Sequence, residues 1–144
     1  CVDEYQEKEE ITMLKYGNCI IEQDQCPTWE AQNTSRCVTP LIAPESCGSQ
    51  KMVTGLWQLY PGHESERDIH PDADEIYYVV SGEGTLVLDE EEYTVRQGMS
   101  VLIPANVHHQ SFNNGDENLV YYYIFAPPPS GPTKQMAQGW VKLG

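Results

Sequence analysis

The chain has 144 residues, 40% of them hydrophobic, which suits one globular domain with a single core. Eight basic residues against 22 acidic residues give a formal net charge of −14. That charge repels phosphate backbones, so we expect no nucleic-acid partner. No apolar run approaches the roughly 20 residues that span a bilayer, so we expect no membrane partner either.

All five cysteines lie in the first third of the chain, at Cys1, Cys19, Cys26, Cys37 and Cys47. Together with the sequon Asn33-Thr34-Ser35, this clustering is typical of a disulfide-stapled arm in a secreted protein. Buried thiols in a cytoplasmic protein are the alternative, because short sequons often arise by chance. The chain opens on a cysteine rather than a methionine, and we expect an upstream segment to have been removed.

The N-terminal third shows little regular periodicity. Acidic residues dominate 1–30, and residues 4–10 are expected to form a short helix or a solvated arm. Residues 26–50 are rich in Pro, Ser, Thr and Cys, which predicts an irregular strap.

Regular alternation begins at residue 51. From there to residue 126, short apolar or alternating runs recur about every ten residues between Gly, Pro, Asn or Asp. The predicted strands are 52–60, 75–80, 84–88, 92–95, 100–103, 107–112 and 119–125. This pattern predicts an all-β sandwich or barrel of antiparallel strands. We therefore divide the chain into an irregular Cys-bearing arm (1–50), a β-domain (51–126) and a Pro-rich tail (127–144). The end of the tail, 133–144, is expected to pack on a neighbour or to extend freely into solvent.

Candidate chemistry concentrates in the β-domain, which holds all four histidines, His63, His70, His108 and His109. Asp68 and His70 stand at i and i+2, so they share one face of an extended segment. Glu75 begins the next strand, where its carboxylate can face His70. Because His108 and His109 are adjacent on a strand, only one of them can point inward.

Two spaced motifs resemble those of the cupin superfamily. The anchors of the first motif are Gly62, Asp68, His70, Glu75 and Gly82, and those of the second are Gly98, Pro104, Asn106, His109 and Asn113. The family pattern has His where this chain has Asp68 and Gly where it has Asn106, although Asn also tolerates the left-handed turn conformation. The resemblance covers residues 51–126 and implies a jelly-roll β-barrel that pairs as a homodimer.

By this resemblance, the metal ligands of the family carry over to His70, Glu75 and His109. Asp68 is then a fourth ligand, or a carboxylate beside the metal that accepts a proton. The implied cofactor is a divalent transition metal, with Fe first and Mn, Ni or Zn as alternatives. His63 and His108 are expected to be surface or packing residues outside the ligand set. If one of the four ligand positions does not bind the metal, His63 is the candidate that would replace it.

Three functions are consistent with these residues. The first is a non-haem metal dioxygenase acting on a small organic substrate, with Tyr77, Trp57 or a tyrosine of 121–123 shaping an apolar cavity. The second is a lyase, isomerase or cyclase, in which Asp68 or Tyr77 is the catalytic group that moves a proton. The third is a non-catalytic secreted binding or storage protein. The fold does not choose among them.

Overall fold

The computed structural model describes residues 14–130, 133 and 138–144. Cys1 and the acidic run at 4–10 lie outside the described residues. The strands are β1 (Thr28–Glu30), β2 (Arg36–Pro40), β3 (Val53–Leu59), β4 (Asp74–Ser81), β5 (Glu83–Leu88), β6 (Glu91–Arg96), β7 (Ser100–Ile103), β8 (His109–Phe112), β9 (Leu119–Ala126) and β10 (Val141–Leu143). The helices are two 3-10 turns (Gly17–Cys19 and Gln23–Gln25) and α1 (Pro44–Cys47). In this part of the chain, no helix is long and apolar enough to cross a membrane.

The strands form two antiparallel sheets. The large sheet has the order β10-β1-β2-β3-β9-β4-β7, and the small sheet has the order β6-β5-β8. The segment 64–68 extends the small sheet, because Glu64 bridges to Phe112 and Asp68 bridges to His109. The chain then passes from the small sheet into β4 of the large sheet, and the candidate ligands lie at this crossing.

The core lies between the inner faces of the two sheets. Along β4, Glu75, Tyr77 and Val79 are buried and alternate with exposed residues, as period-two alternation requires. The main cluster combines residues of both sheets: Leu59, Tyr77, Val79, Leu86, Val95, Ile103, Leu119 and Tyr121. The predicted all-β fold of antiparallel strands is confirmed, and the seven strands predicted between 51 and 126 all form, with ends within two residues of those expected.

The strap at 26–50 differs from the irregular segment that we expected. It contains β1 and β2, and β2 pairs with β3 along its whole length. Pro40 and the polar residues around β2 hide its alternation in the sequence, although a proline is tolerated at the end of a strand. The large sheet therefore crosses the predicted boundary at residue 50.

The end of the tail packs on the same chain. β10 pairs with β1, and Trp140, only 7% exposed, packs against Ala31 and Val38. Residues 131–132 and 134–137 lie outside the described residues. Within 138–143 the tail therefore completes the edge of the large sheet.

The expected disulfides are not supported. Cys19, Cys26, Cys37 and Cys47 are all free thiols in the structure. Cys37 is buried on β2, and burial raises the pKa of its thiol, which lowers its reactivity. Of the five cysteines, only Cys1 falls outside the described residues.

Candidate metal site

Four side chains predicted from the sequence come together at the crossing between the sheets. Asp68, His70 and His109 each place one ligand atom so that the three atoms lie within 4.8 Å of one another. Oε1 of Glu75 lies 3.4 Å from Nε2 of His109 and 4.0 Å from Nε2 of His70. Nε2 of His70 lies 3.6 Å from Oδ2 of Asp68. Two imidazoles and two carboxylates thus share one small volume.

Backbone pairing places Asp68 and His109 side by side. Each donates its N–H to the carbonyl oxygen of the other at 2.9 Å. Residues directly opposite in an antiparallel pair project to the same face, so both side chains point into the molecule. His109 is 5% exposed. The neighbouring His108 precedes β8 and lies outside the cluster of ligand atoms; its N–H donates to Oδ1 of Asp89 at 3.0 Å.

The ring of His109 is oriented by its own chain. Its Nδ1 lies 3.1 Å from the carbonyl oxygen of Val107. A carbonyl oxygen only accepts hydrogen bonds, so Nδ1 carries a proton and donates it to Val107, while Nε2 faces the cluster. A neutral imidazole with a free lone pair is the form that binds a metal ion.

His70 is held by a ring contact and a turn. The edge of its ring meets Phe125 at a centroid distance of 4.7 Å. Its carbonyl oxygen accepts the N–H of Asn106 at 2.9 Å. Asn106 has a φ of +70°, the left-handed conformation expected at the position where the family pattern has Gly.

Glu75 is more deeply buried than Asp68, the other carboxylate of the cluster, and is only 4% exposed. Its cross-strand neighbours are the apolar Phe125 and Ile103. Burial raises the pKa of Tyr77, and the charge of Glu75 and a hydrogen bond to it raise it further. The phenol of Tyr77 therefore stays protonated near neutral pH.

The aromatic rings expected to shape a cavity fill the interior instead. Tyr77 stacks on Tyr121 at 4.2 Å, and Tyr121 stacks on Trp57 at 5.2 Å. The hydroxyl of Tyr121 lies 2.9 Å from Oγ of Ser111. Tyr122 faces the other way, with its hydroxyl 2.8 Å from Oγ1 of Thr54.

A groove of about 400 Å³ lies between the edge strands β6 and β7. It is lined by Leu86, Leu88, Tyr93, Thr94, Val95, Met99, Ser100, Val101 and Leu102. Leu88 is the direct cross-strand neighbour of His109, and Val101 that of Tyr77. Two residues that line the groove are thus direct strand partners of residues at or next to the site.

Two further sequence candidates lie outside the cluster. His63 is exposed in the turn after β3, and its carbonyl accepts the N–H of Asn113. The side chain of Asn113 donates to the carbonyl oxygens of Leu59 and Glu117, both at 2.8 Å, so it holds a turn.

Arg36 is the residue near the site that sequence reasoning missed. It is 3% exposed and lies over the ring of Trp140 at 5.0 Å. Burial lowers the pKa of its guanidinium, while the charges of Glu66 and Asp68 act in the opposite direction. No sequence signal marks it, because it lies in the strap and its partners are distant in the chain.

Comparison with known proteins identifies similarity in the β-domain. A family model described as "Cupin domain" matches residues 55–125, a range that holds all four candidate ligands. "Polyketide synthase CurC" of Streptomyces cyaneus is 32% identical over 93 residues, which are 62% of this chain and 60% of that protein. The chain thus aligns with less than two thirds of this relative's length.

Two further matches have comparable identity. "Uncharacterized protein SCO3923" of Streptomyces coelicolor is 35% identical over 81 residues, covering 56% of this chain and 75% of that protein. A solved structure titled as a putative sugar phosphate isomerase, from Acidithiobacillus ferrooxidans, is 32% identical with a TM-score of 0.52. That match covers 61% of this chain and 59% of the isomerase chain.

Proposed function

Because the chain belongs to the cupin superfamily, we propose that it is a metal-dependent enzyme that acts on a small organic molecule. The observation that carries this proposal is the convergence of two imidazoles and two carboxylates, with one ligand atom of Asp68, His70 and His109 within 4.8 Å of the others. Glu75 adds its Oε1 at 3.4 Å from His109. Burying such a carboxylate is costly without a cation, which a metal supplies.

The donor set fits a divalent transition metal. Two nitrogen and two oxygen donors suit Fe²⁺, Mn²⁺, Ni²⁺ or Zn²⁺. A bound metal of this kind polarises a carbonyl or hydroxyl oxygen of a substrate as a Lewis acid. Within this set, the Val107 carbonyl orients the ring of His109.

The open side of the site lies at Asp68 and His70. Their side chains are 25% and 19% exposed, whereas those of Glu75 and His109 are 5% and 6% exposed. A substrate therefore approaches next to Asp68. We assign this carboxylate the catalytic role of holding a proton taken from a carbon or oxygen of the substrate.

Lyase or isomerase chemistry is favoured over dioxygenase chemistry. Asp68 lies inside the ligand cluster, and a second carboxylate makes the donor set harder than two imidazoles with one carboxylate. The similarity to a structure titled as a sugar phosphate isomerase supports the same choice. A dioxygenase remains the second candidate, since His70, Glu75 and His109 alone form the two-His, one-carboxylate set of non-haem iron oxygenases.

Deuterium exchange under nitrogen tests the proposal. We expect the metal-loaded protein in D₂O to exchange a hydrogen beside the carbonyl of dihydroxyacetone or its phosphate ester, measured by NMR against a protein-free control. The uncharged substrate should react faster, because a net charge of −14 disfavours an anion. Oxygen uptake without exchange would favour the dioxygenase, and protein purified without any bound metal would contradict both.

We also propose that two copies associate through the outer face of β4 and β7. Ile76, Tyr78 and Val80 are 37–45% exposed there, and Leu102, the partner of Ile76, is 58% exposed. A contiguous exposed apolar patch on one face marks an interface, and a twofold dimer buries the same patch on both copies.

Sedimentation velocity tests this association. We expect a dimer for the natural chain and a monomer for Leu102→Asp, because the new charge would be buried against the partner. Leu14→Asp, an exposed leucine outside that face, is the matched control and should stay dimeric. A monomeric natural chain would contradict the proposal.

A further inference from the structure

The segment that carries Asp68 contains an extra residue relative to its partner strand. Glu64 lies opposite Phe112 and Asp68 lies opposite His109, so four steps on the segment match three on β8. Such an insertion is a β-bulge, and it reverses the inward and outward alternation beyond it. With regular pairing from Glu64, Arg67 would face His109. The bulge puts an acid there instead.

The bulge falls at Glu66 and Arg67. Before it, Ser65 is fixed to β8, since its N–H donates to the Ser111 carbonyl at 2.9 Å and its carbonyl accepts Nε2 of Gln110 at 2.7 Å. After it, Asp68 exchanges two backbone hydrogen bonds with His109. The register on the Asp68 side thus depends on what holds the two residues between these anchors.

Glu66 is held from two other parts of the chain. Its Oε1 lies 3.8 Å from Nη2 of Arg36, and its Oε2 accepts Nε2 of Gln138 at 3.2 Å. Arg36 is fixed in turn, because its Nη1 donates to Oγ of Ser35 at 3.0 Å and its guanidinium lies over Trp140. Trp140 donates its indole N–H to Oε1 of Gln138 at 3.1 Å. Strand β2 and the C-terminal segment therefore meet at Glu66.

We propose that Glu66, held by Arg36 and Gln138, is a positioning residue that keeps the bulge in the register in which Asp68, rather than Arg67, lies beside His109. This inference rests on the metal site proposed above. It connects the C-terminal residues Gln138 and Trp140 to the site, although none of the described residues 138–144 belongs to the ligand cluster. Only Arg67 separates Glu66 from Asp68, so a shift at the bulge is passed directly to the carboxylate.

Cobalt affinity of the metal-free protein tests the inference. We expect Glu66→Ala to weaken Co²⁺ binding about tenfold, the scale of losing a residue that orients a ligand, and to change the visible Co²⁺ spectrum. Glu64→Ala, an exposed acid on the same segment, is the matched control and should bind as the natural chain does. Thermal unfolding verifies that each variant folds. If Glu66→Ala does not fold, Glu66→Gln replaces it.

A double-substitution cycle separates positioning from general destabilisation. If Glu66 acts through Asp68, Glu66→Ala should have no further effect on Co²⁺ affinity in an Asp68→Ala background. The inference falls, with the metal site intact, if Glu66→Ala matches the natural chain within about twofold or weakens both backgrounds equally. If the natural chain binds no Co²⁺ at all, the inference falls together with the proposed function.

Discussion

The His109→Ala variant is expected to lose its bound metal, with affinity reduced more than about a hundredfold, a larger loss than removal of an orienting partner causes. Nε2 of His109 faces the cluster, 3.4 Å from Oε1 of Glu75, and the ring is almost fully buried. Alanine removes this donor and leaves Glu75 buried with one fewer partner. Elemental analysis of the purified protein, without added metal or chelator, measures the loss.

Two neighbouring substitutions sharpen this result. His70→Ala should lose metal in the same way, since its Nε2 lies within 4.0 Å of both carboxylates. His108→Ala should keep its metal, because the ligand atoms that come together are those of Asp68, His70 and His109, without His108. Circular dichroism verifies that all three variants fold. Equal metal content in the three variants would remove His70 and His109 from the site.

The sequence predicts those parts of the fold that depend on neighbouring residues alone, such as strand alternation and turns. Alternation along β4 depends only on which residues avoid water, so the buried positions of Glu75 and Tyr77 follow from the sequence. The left-handed turn at Asn106 follows from the small set of residues that tolerate positive φ. The sequence does not predict β2, because Pro40 and polar residues hide its alternation, or β1, because β1 pairs with β10 near the other end of the chain.

The candidate site likewise has features that residue spacing predicts and features that depend on contacts distant in the chain. Spacing indicates that Asp68 and His70 share a face and that one histidine of the 108–109 pair points inward. The bulge at Glu66 depends on pairing with β8, more than 40 residues later, and no local signal reports it. The buried Arg36 was missed for the same reason, since Glu66 and Trp140 approach it only in the folded chain. Contacts between distant parts of the chain thus determine the register at Glu66 and the position of Arg36, which residue spacing does not predict.

Asp68→Asn is expected to lower metal content and to slow hydrogen exchange beside the substrate carbonyl at least about a hundredfold, the contribution of a positioned acid or base. Asparagine keeps the shape of the side chain and the acceptor for the Ile69 N–H, which Oδ1 of Asp68 accepts at 2.9 Å. It removes the negative charge and the capacity to hold a proton. The variant therefore separates the chemistry of Asp68 from its structural contact.

The two candidate functions predict different results for this variant. A lyase or isomerase that uses Asp68 for proton transfer should lose exchange even when excess metal restores full occupancy. A dioxygenase held by His70, Glu75 and His109 should keep its iron and its oxygen uptake, because those three ligands are unchanged. Measuring metal content, exchange under nitrogen and oxygen uptake on the same preparation decides between them. Unchanged values in all three would exclude Asp68 from both binding and catalysis.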